Sequence, residues 1–454
     1  MKTELSALAK VDRAEVLTRF HLLRARTRAM FDLLDERMYY ERPIALRNPV
    51  VFYEGHIPAF AMNTLIKRGL GQQGIDERLE VIFARGIDPE DERTAVARGN
   101  PAWPDRDTVR AYAAAADARI AEAIRSADLN RDDRPLLRGA QALWTILEHE
   151  EMHQETLAYM WHQVPYELKR APEGYRALDH GASAFPDPPY DLDARVEVPR
   201  GSVTLGTDLS IEPFGWDNEL PCQRVSVGAF TIDVHNVTNA QFLEFVEAGG
   251  YEDRRWWSDE DLAWLAEDGV RHPPFWEREQ DSGAWYQRAM FERVPLPPDW
   301  PVYVTAAEAA AYARWRGGRL PTEAEFHRAA YGTPSGEERR FPWGETFGDE
   351  PPANLDFRRW DPEPVGAHPS RTSAFGVHDL VGNGWEWTST VFEPFRGFAP
   401  MPSYPEYSAD FFDGQHLVMK GASPVTARAL TRRGFRNWFR PRYPYVYATF
   451  RCVR

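Results

Sequence analysis

The chain has 454 residues, which is more than one ordinary hydrophobic core holds and predicts two or three domains. A formal net charge of −15 argues against a nucleic acid or an anionic membrane as partner. No apolar run approaches the roughly 20 residues that span a bilayer, and no signal peptide follows Met1. Because the only cysteines, Cys222 and Cys452, form no disulfide framework, we expect a cytoplasmic protein.

Apolar residues at helical spacing predict helices in the first part of the chain. One helix is predicted over 11–37 and a second over 50–67, which carries His56. The stretch 71–105 is rich in charge, glycine and proline, and predicts a long connection. A third helix begins at the predicted cap Asp107. Together with a fourth helix, these elements indicate a helical bundle.

The fourth helix carries two histidines. Two aspartates at 132–133 are predicted to cap its start, and Pro165 ends it. His149 and His153 are four residues apart, so both project from one face and can bind one metal ion. We predict His56 as the third ligand, because three protein ligands leave positions open for substrate and oxygen.

Two other interpretations of the histidine pair are that both are surface or satisfied core histidines, and that they belong to a zinc peptidase. His149-Glu150-Glu151-Met152-His153 also matches the H-E-x-x-H pattern of zinc peptidases, in which Glu150 would be the base. The nearest third ligand, His162, has the wrong spacing for that class. The remaining histidines show no ligand spacing and are interpreted as structural: His21, His162, His180, His235, His272, His327, His368, His378 and His416.

The second part of the chain has a different pattern. A proline-rich linker is predicted over 171–197, between a metal-binding helical domain over 1–170 and a loop-rich α+β domain over 198–454. Short β-rich runs include 202–205 and 224–227. Only two helices are predicted there, over 239–248 and 306–315. The predicted fold class is therefore α + (α+β).

Aromatic and polar residues cluster near the C-terminus. We interpret Trp385, Trp387, Gly434 and Arg436 as stabilising a loop-rich fold. A second set is better placed to line a pocket: Tyr404, Tyr407, Asn437 and Trp438.

Several motifs resemble known families. The N-terminal part resembles a DinB-type four-helix bundle, and the second part resembles the C-type-lectin-like domain of formylglycine-generating enzymes. The matching segments are Phe230–Asp233 with Val237–Asn239, Gly318–Glu325, Gly382–Trp387 and Phe450–Cys452. With His56 and the H-x-x-x-H before Gln154-Glu155, the chain resembles the ergothioneine-pathway sulfoxide synthases and the related selenoneine synthases.

The resemblance implies a non-haem iron(II) enzyme that uses O2. Iron would be held by His56, His149 and His153. The substrate would be hercynine, the Nα-trimethyl betaine of histidine, to whose imidazole carbon a sulfur or selenium donor is joined. The small molecules hercynine and a selenosugar or thiol are thus the expected partners, with no nucleic acid and no membrane.

The resemblance also implies roles for residues of the second part. Tyr404 would give a proton or a hydrogen atom, and Tyr407 would line the hercynine site. Asn437 and Trp438 match an Asn-Trp pair that meets hercynine, where an aromatic face suits a trimethylammonium group.

The chain departs from the sulfoxide synthases at two positions. Phe439 stands where the enzymes that use γ-glutamylcysteine carry an acid, and Met152 replaces a common glutamine. A phenylalanine cannot pair with the ammonium of a cysteine-type donor, so Phe439 is predicted to contact a selenosugar. The stretch 48–56 also looks closer to the selenoneine branch. The alternative is a sulfoxide synthase that makes a C–S bond with a cysteine-type thiol.

Other classes of function are less consistent with the sequence. Formylglycine generation needs paired catalytic cysteines, which the distant Cys222 and Cys452 do not provide. A non-catalytic binding module has no need of an open metal position. A zinc thiol-transferase built on the bundle would bind zinc and consume no oxygen.

Overall fold

The computed structural model describes residues 11–84, 102–178, 191–348 and 353–454. The chain forms two compact units. The helical unit consists of Met1–Tyr175, Leu209–Phe214 and Pro400–Pro405. The mixed unit consists of Arg176–Asp208, Gly215–Ala399 and Glu406–Arg454. The domain bounds of 1–170, 171–197 and 198–454 stay predictions, and 179–190, with His180, lie outside the described residues.

The described part of the helical unit is built from α-helices and one π-helix. They are α1 (Arg13–Phe31), α2 (Val50–Ala61), the π-helix (Met62–Gly69), α3 (Glu77–Ile82), α4 (Arg106–Ser126) and α5 (Gln141–Gln163). Short 3₁₀ turns lie at Glu36–Met38, Arg138–Ala140 and Tyr166–Leu168. Buried apolar side chains from α1, the end of α2, the π-helix, α4 and α5 contribute to its core. Across the described residues, no helix is both long and apolar enough to cross a membrane.

Two helix ends differ from the prediction. The first helix ends at Phe31, and the chain beyond it turns instead of continuing over 11–37. The third helix is capped by Asp105, whose carboxylate accepts the backbone N–H of Thr108. Asp107, the predicted cap, lies in the first turn, where an acid is also favourable.

The start of α5 and the connection before α4 also differ. The aspartates at 132–133 do not cap α5, which begins at Gln141 because Ala140 has a left-handed backbone (φ 56°). The connection predicted over 71–105 contains the short helix α3. Residues 85–101 of that connection lie outside the described residues.

A buried polar seam joins α1 to α5. Arg24 donates a hydrogen bond of 2.8 Å to the carboxylate of Glu150, and the hydroxyl of Thr27 donates one of 2.5 Å to the same oxygen. The amide of Gln154 donates to the hydroxyl of Thr27 and to the carbonyl of Leu23, each at 3.0 Å. Because these buried groups hydrogen-bond to one another across the two helices, they fix the rotation of α5 about its axis.

The mixed unit contains short strands and helices. The strands are β1 (Arg195–Val198), β2 (Gly201–Leu205), β3 (Gln223–Val227), β4 (Phe230–Asp233), β5 (Trp276–Arg278), β6 (Trp285–Arg288), β7 (Arg293–Pro295), β8 (Gly384–Val391), β9 (Leu417–Ala422), β10 (Asn437–Phe439) and β11 (Ala448–Thr449). The helices are α6 (Asn239–Glu247), α7 (Asp259–Glu267), α8 (Ala306–Trp315) and α9 (Glu323–Tyr331). Strands β10, β9, β8 and β11 form the largest described sheet, in that order, with β11 parallel to β8. The others pair as β1–β4, β2–β3 and β5–β6–β7.

The sequence prediction missed two helices of this unit and assigned most of one strand to the linker. Helix α7 is capped by Ser258, and α9 by Thr322, which forms a reciprocal capping box with Glu325. Strand β1 forms from the end of the predicted linker and pairs with β4. The β-rich runs at 202–205 and 224–227 were correctly predicted as strands and pair as β2 and β3.

A buried ion pair lies at the centre of the mixed unit. The side chains of Arg451 and Glu386 are both fully buried, and two N–H groups of Arg451 donate to the two carboxylate oxygens at 2.7 Å. Arg451 also donates to the backbone carbonyls of Asp233, Val234 and His378. One side chain thereby ties the C-terminal strand region to three other segments.

We expect Arg451→Met to destabilise the mixed unit by about 3–5 kcal/mol, because it leaves Glu386 buried without its cation. Arg255→Met is the control, since Arg255 pairs with Asp253 at the surface, where its side chain is 76% exposed. That change should cost no more than about 1 kcal/mol. Urea unfolding followed by tryptophan fluorescence measures both changes. Equal midpoints for Arg451→Met and the wild type would contradict the role of Arg451.

Candidate metal centre

Three histidines converge within the helical unit. His56 lies in α2, and His149 and His153 lie one turn apart in α5. The Nε2 atom of His149 is 3.3 Å from Nε2 of His56 and 3.1 Å from Nε2 of His153. The three ligand atoms all lie within 4.8 Å of one another. In the described ranges, this is the one group of three or more potential metal-ligating side chains that meets so closely.

The protonation of the three rings suits a metal ion. Nδ1 of His56 is 2.8 Å from the carbonyl oxygen of Phe83, which can only accept, so Nδ1 carries the proton and Nε2 offers a lone pair. Burial lowers the pKa of His56 to about 4 and lowers the pKa of His149 and of His153 well below the ordinary value. Neutral imidazoles are the form that binds metals. Three imidazole nitrogens this close can donate their lone pairs to one cation, so the donor set fits a divalent metal.

Aromatic rings surround the three histidines. The ring of Phe60 stacks on His149 at 3.6 Å between centroids, with an interplanar angle of 10°. Phe52 stacks on His56 at 4.9 Å, and the ring of Tyr53 lies 5.8 Å from that of His153. These rings exclude water from one side of the cluster, which is the physical cause of the lowered pKa values.

Tyr404 lies beside the cluster. It belongs to the segment Pro400–Pro405 of the helical unit, although it is distant in sequence from the histidines. Its ring centroid is 5.1 Å from that of Phe60 and 6.1 Å from that of His149. The structure therefore brings a phenol next to the three histidines.

Glu150 points away from the cluster. It follows His149 in the helix and is rotated from it by about 100°. Its carboxylate pairs with Arg24 and accepts from Thr27 on α1. The zinc-peptidase hypothesis thus lacks its proposed base.

The other predicted pocket residues lie in the mixed unit, and two of them meet. The ring of Tyr407 stacks on Trp216 at 4.0 Å and meets the ring of Trp438 edge-on at 5.2 Å. Trp438 also stacks on Phe392 at 4.3 Å with an interplanar angle of 6°. An aromatic group of this kind offers π faces to a cationic ligand.

Asn437 and Phe439 flank Trp438 on β10. Because neighbours on a strand project to opposite faces, these two side chains share the face opposite to that of Trp438. The side-chain oxygen of Asn437 accepts the backbone N–H of Trp438 at 2.9 Å. The ring of Phe439 stacks on Tyr443 at 5.1 Å. Phe439 is therefore part of a different aromatic contact from Tyr407 and Trp438.

The sequence prediction missed the groups that orient His56. Phe83 supplies the accepting carbonyl, and its ring lies against Gly55, where an added Cβ would be 2.4 Å from it. The available signal was a glycine inside a predicted helix and next to a predicted ligand, since such a glycine often marks close packing.

Sequence comparisons agree with the two-part organisation. Residues 182–454 match the sulfatase-modifying factor enzyme 1-like domain, and residues 19–157 match the DinB superfamily. The predicted DinB-like and formylglycine-generating-enzyme-like regions are thereby confirmed.

Similar proteins narrow the family. The ergothioneine biosynthesis protein 1 of Neurospora crassa is 27% identical over 93% of this chain and 55% of its own length. The hercynine oxygenase of Mycolicibacterium thermoresistibile is 37% identical over 343 residues, which cover 74% of each chain. This chain belongs to the ergothioneine-pathway family. Among solved structures, PvdO from Pseudomonas aeruginosa has a TM-score of 0.39 and 24% identity over 57% of this chain and 93% of PvdO.

Gly55→Ala is expected to weaken metal binding about 10- to 100-fold, the usual effect of losing an orienting partner. Alanine alone would favour the helix, but its Cβ overlaps the Phe83 ring and displaces the carbonyl that orients His56. Titration with Co(II), followed by visible absorbance, measures the affinity. The double variant Gly55→Ala/Phe83→Leu makes room and should restore binding; equal affinity in Gly55→Ala and the wild type would contradict the mechanism.

We expect the metal-free protein to lose stability as pH falls from 6.5 towards 4. In that window unfolded histidines bind protons, whereas His56, with its pKa lowered to about 4, does not, so acid favours unfolding. Each such histidine contributes a slope of up to about 1.4 kcal/mol per pH unit. Urea midpoints at several pH values should show a shallower slope for His56→Gln, while His21→Gln, at the exposed His21, should match the wild type.

Proposed function

We propose that this chain is a non-haem iron(II), O2-dependent enzyme that joins a selenosugar to the imidazole carbon of hercynine. The alternative is a sulfoxide synthase that joins a cysteine-type thiol to the same carbon. The three-histidine cluster is the observation that best supports an oxidative metal enzyme. The names of the similar hercynine oxygenase and ergothioneine biosynthesis protein 1 support hercynine as substrate and favour sulfur chemistry. The choice of a selenium donor over a thiol is based on Phe439.

His56, His149 and His153 would hold the iron, in a helical unit that we propose to be a DinB-type four-helix bundle. Bound iron(II) would supply the activation of O2. The chain's own contribution begins with the neutral ligand rings, which the Phe83 carbonyl and the stacked Phe60 hold in orientation.

Tyr404 is proposed to give a proton or a hydrogen atom during bond formation. Its ring, 6.1 Å from that of His149, supports this role because a donor must lie beside the reacting atoms. The rings of Phe52 and Phe60 would keep water from the reaction, which limits the wasteful oxidation of the donor.

Trp438 and Tyr407 are proposed to bind the trimethylammonium end of hercynine by cation–π attraction, and Asn437 is proposed to contact the rest of the molecule. Their mutual packing supports this role, since rings held by Phe392 and Trp216 lose little freedom on binding. Small molecules remain the proposed partners. A cytoplasmic location stays a prediction from the sequence.

The function is tested by anaerobic loading with iron(II) followed by hercynine, O2 and one donor at a time: γ-glutamylcysteine, cysteine or a selenosugar. Mass spectrometry should detect a product that contains hercynine and the donor's sulfur or selenium. His153→Ala should lose both bound iron and product, because one of three ligands is gone. Full iron occupancy in that variant, or no hercynine product with any donor, would exclude the proposal.

Phe439→Asp should improve the use of cysteine-type thiols by about tenfold or more and weaken the use of the selenosugar. A charge-assisted hydrogen bond to the donor's ammonium contributes about 1.5–3 kcal/mol, which corresponds to that factor. Phe439→Leu is the control, since it removes the ring that stacks on Tyr443 without adding charge.

The exposed Glu406 is the other acid that could meet the ammonium, and Glu406→Gln tests it by the same kinetics. If the unmodified enzyme uses γ-glutamylcysteine faster than the selenosugar at equal concentration, the sulfoxide-synthase alternative replaces the proposal.

A further inference from the structure

Within the helical unit, the segment Pro400–Pro405 forms hydrogen bonds to two of the helices. The hydroxyls of Thr145 and Ser403 are 2.8 Å apart, and both side chains belong to fully buried residues. Arg68 donates to the carbonyl of Ser403 at 3.1 Å and to the carbonyl of Pro402 at 2.7 Å. The backbone N–H of Tyr404 donates to the carbonyl of Met401 at 3.1 Å and closes a turn.

One anchor lies on a helix that carries predicted metal ligands, and the other lies on the direct continuation of such a helix. Thr145 is one helical turn before His149 in α5, so both side chains lie on the same face. Arg68 lies in the π-helix that continues directly from α2, which carries His56. The turn that holds Tyr404 is therefore fixed to α5 and to the π-helix that continues α2.

We propose that Thr145 is a positioning residue for Tyr404, acting through Ser403 and assisted by Arg68. This inference rests on the proposed function, in which Tyr404 takes part in bond formation. Thr145 does not touch the reacting atoms. It holds the turn so that the Tyr404 ring stays beside His149. A shift of about 1 Å in such a group can slow a reaction by as much as about 100-fold.

The test compares Thr145→Val, which keeps shape and removes the hydroxyl, with Thr145→Ser, which keeps the hydroxyl. Both should bind iron like the wild type. Thr145→Val should lower the ratio of hercynine-containing product to oxidised donor about 10- to 100-fold, in the same direction as Tyr404→Phe. Thr145→Ser should keep the product ratio of the wild type. Thr156→Val is the matched control, since the Thr156 hydroxyl donates to the carbonyl of Met152 within its own helix.

A double variant separates positioning from general damage. If Thr145 acts through Tyr404, Thr145→Val/Tyr404→Phe should have the same product ratio as Tyr404→Phe alone. If the effects of the two single substitutions on the product ratio multiply in the double variant, the inference is overturned. Should Thr145→Val fail to fold, Ser403→Ala removes the same bond from the other side and is judged by the same criteria.

Hydrogen–deuterium exchange on the metal-free full chain gives a readout independent of activity. Peptides that cover Pro400–Pro405 should exchange at least about tenfold faster in Thr145→Val, while peptides from α4 stay unchanged. A Tyr404→Phe effect on product ratio without any Thr145→Val effect overturns this inference alone. Absence of a hercynine product in the wild type overturns the proposed function. In that case the exchange experiment still decides on the anchoring, which is rejected if Pro400–Pro405 exchanges equally fast in Thr145→Val and the wild type.

Discussion

The histidine cluster depends on the buried polar seam between α1 and α5. Each histidine of the α5 pair is followed by a polar residue that faces α1: Glu150 follows His149, and Gln154 follows His153. Thr27 lies between them, since its hydroxyl donates to Glu150 and accepts from Gln154. A purely apolar seam would permit several rotations of α5 with similar energy, whereas these hydrogen bonds form in one. The cost of burying Arg24 and Glu150 is thus offset by a defined direction for the two histidines.

The sequence predicted the elements that follow from local periodicity. The spacing of His149 and His153 and the apolar pattern around them are local properties, so the helix that carries the histidine pair could be identified directly. Helix ends were less predictable, because Asp105 and Asp107 are equally good caps and the choice depends on packing. The left-handed Ala140 that delays the start of α5 gives no signal in composition.

The surroundings of the cluster were largely beyond prediction. Tyr404 was identified by resemblance and not by spacing, because about half of the chain separates it from His149. The stacking of Phe60 on His149 and the bond between Thr145 and Ser403 are tertiary contacts of the same kind. The region that matches the sulfatase-modifying factor domain, 182–454, also supplies the segments Leu209–Phe214 and Pro400–Pro405 to the helical unit. A division of the chain by family would therefore separate Tyr404 from its neighbours.

The group that orients His56 belongs to the main chain. Every residue type has a carbonyl, so substitutions of the Phe83 side chain cannot delete the acceptor itself, although they can move it. The hydroxyl pair of Thr145 and Ser403 differs, since a single codon change in either residue removes it. The tautomer of His56 is accordingly protected against sequence drift, whereas the placement of Tyr404 can be tuned by mutation. A lineage could therefore alter the product ratio of the proposed reaction while it retains the histidine cluster.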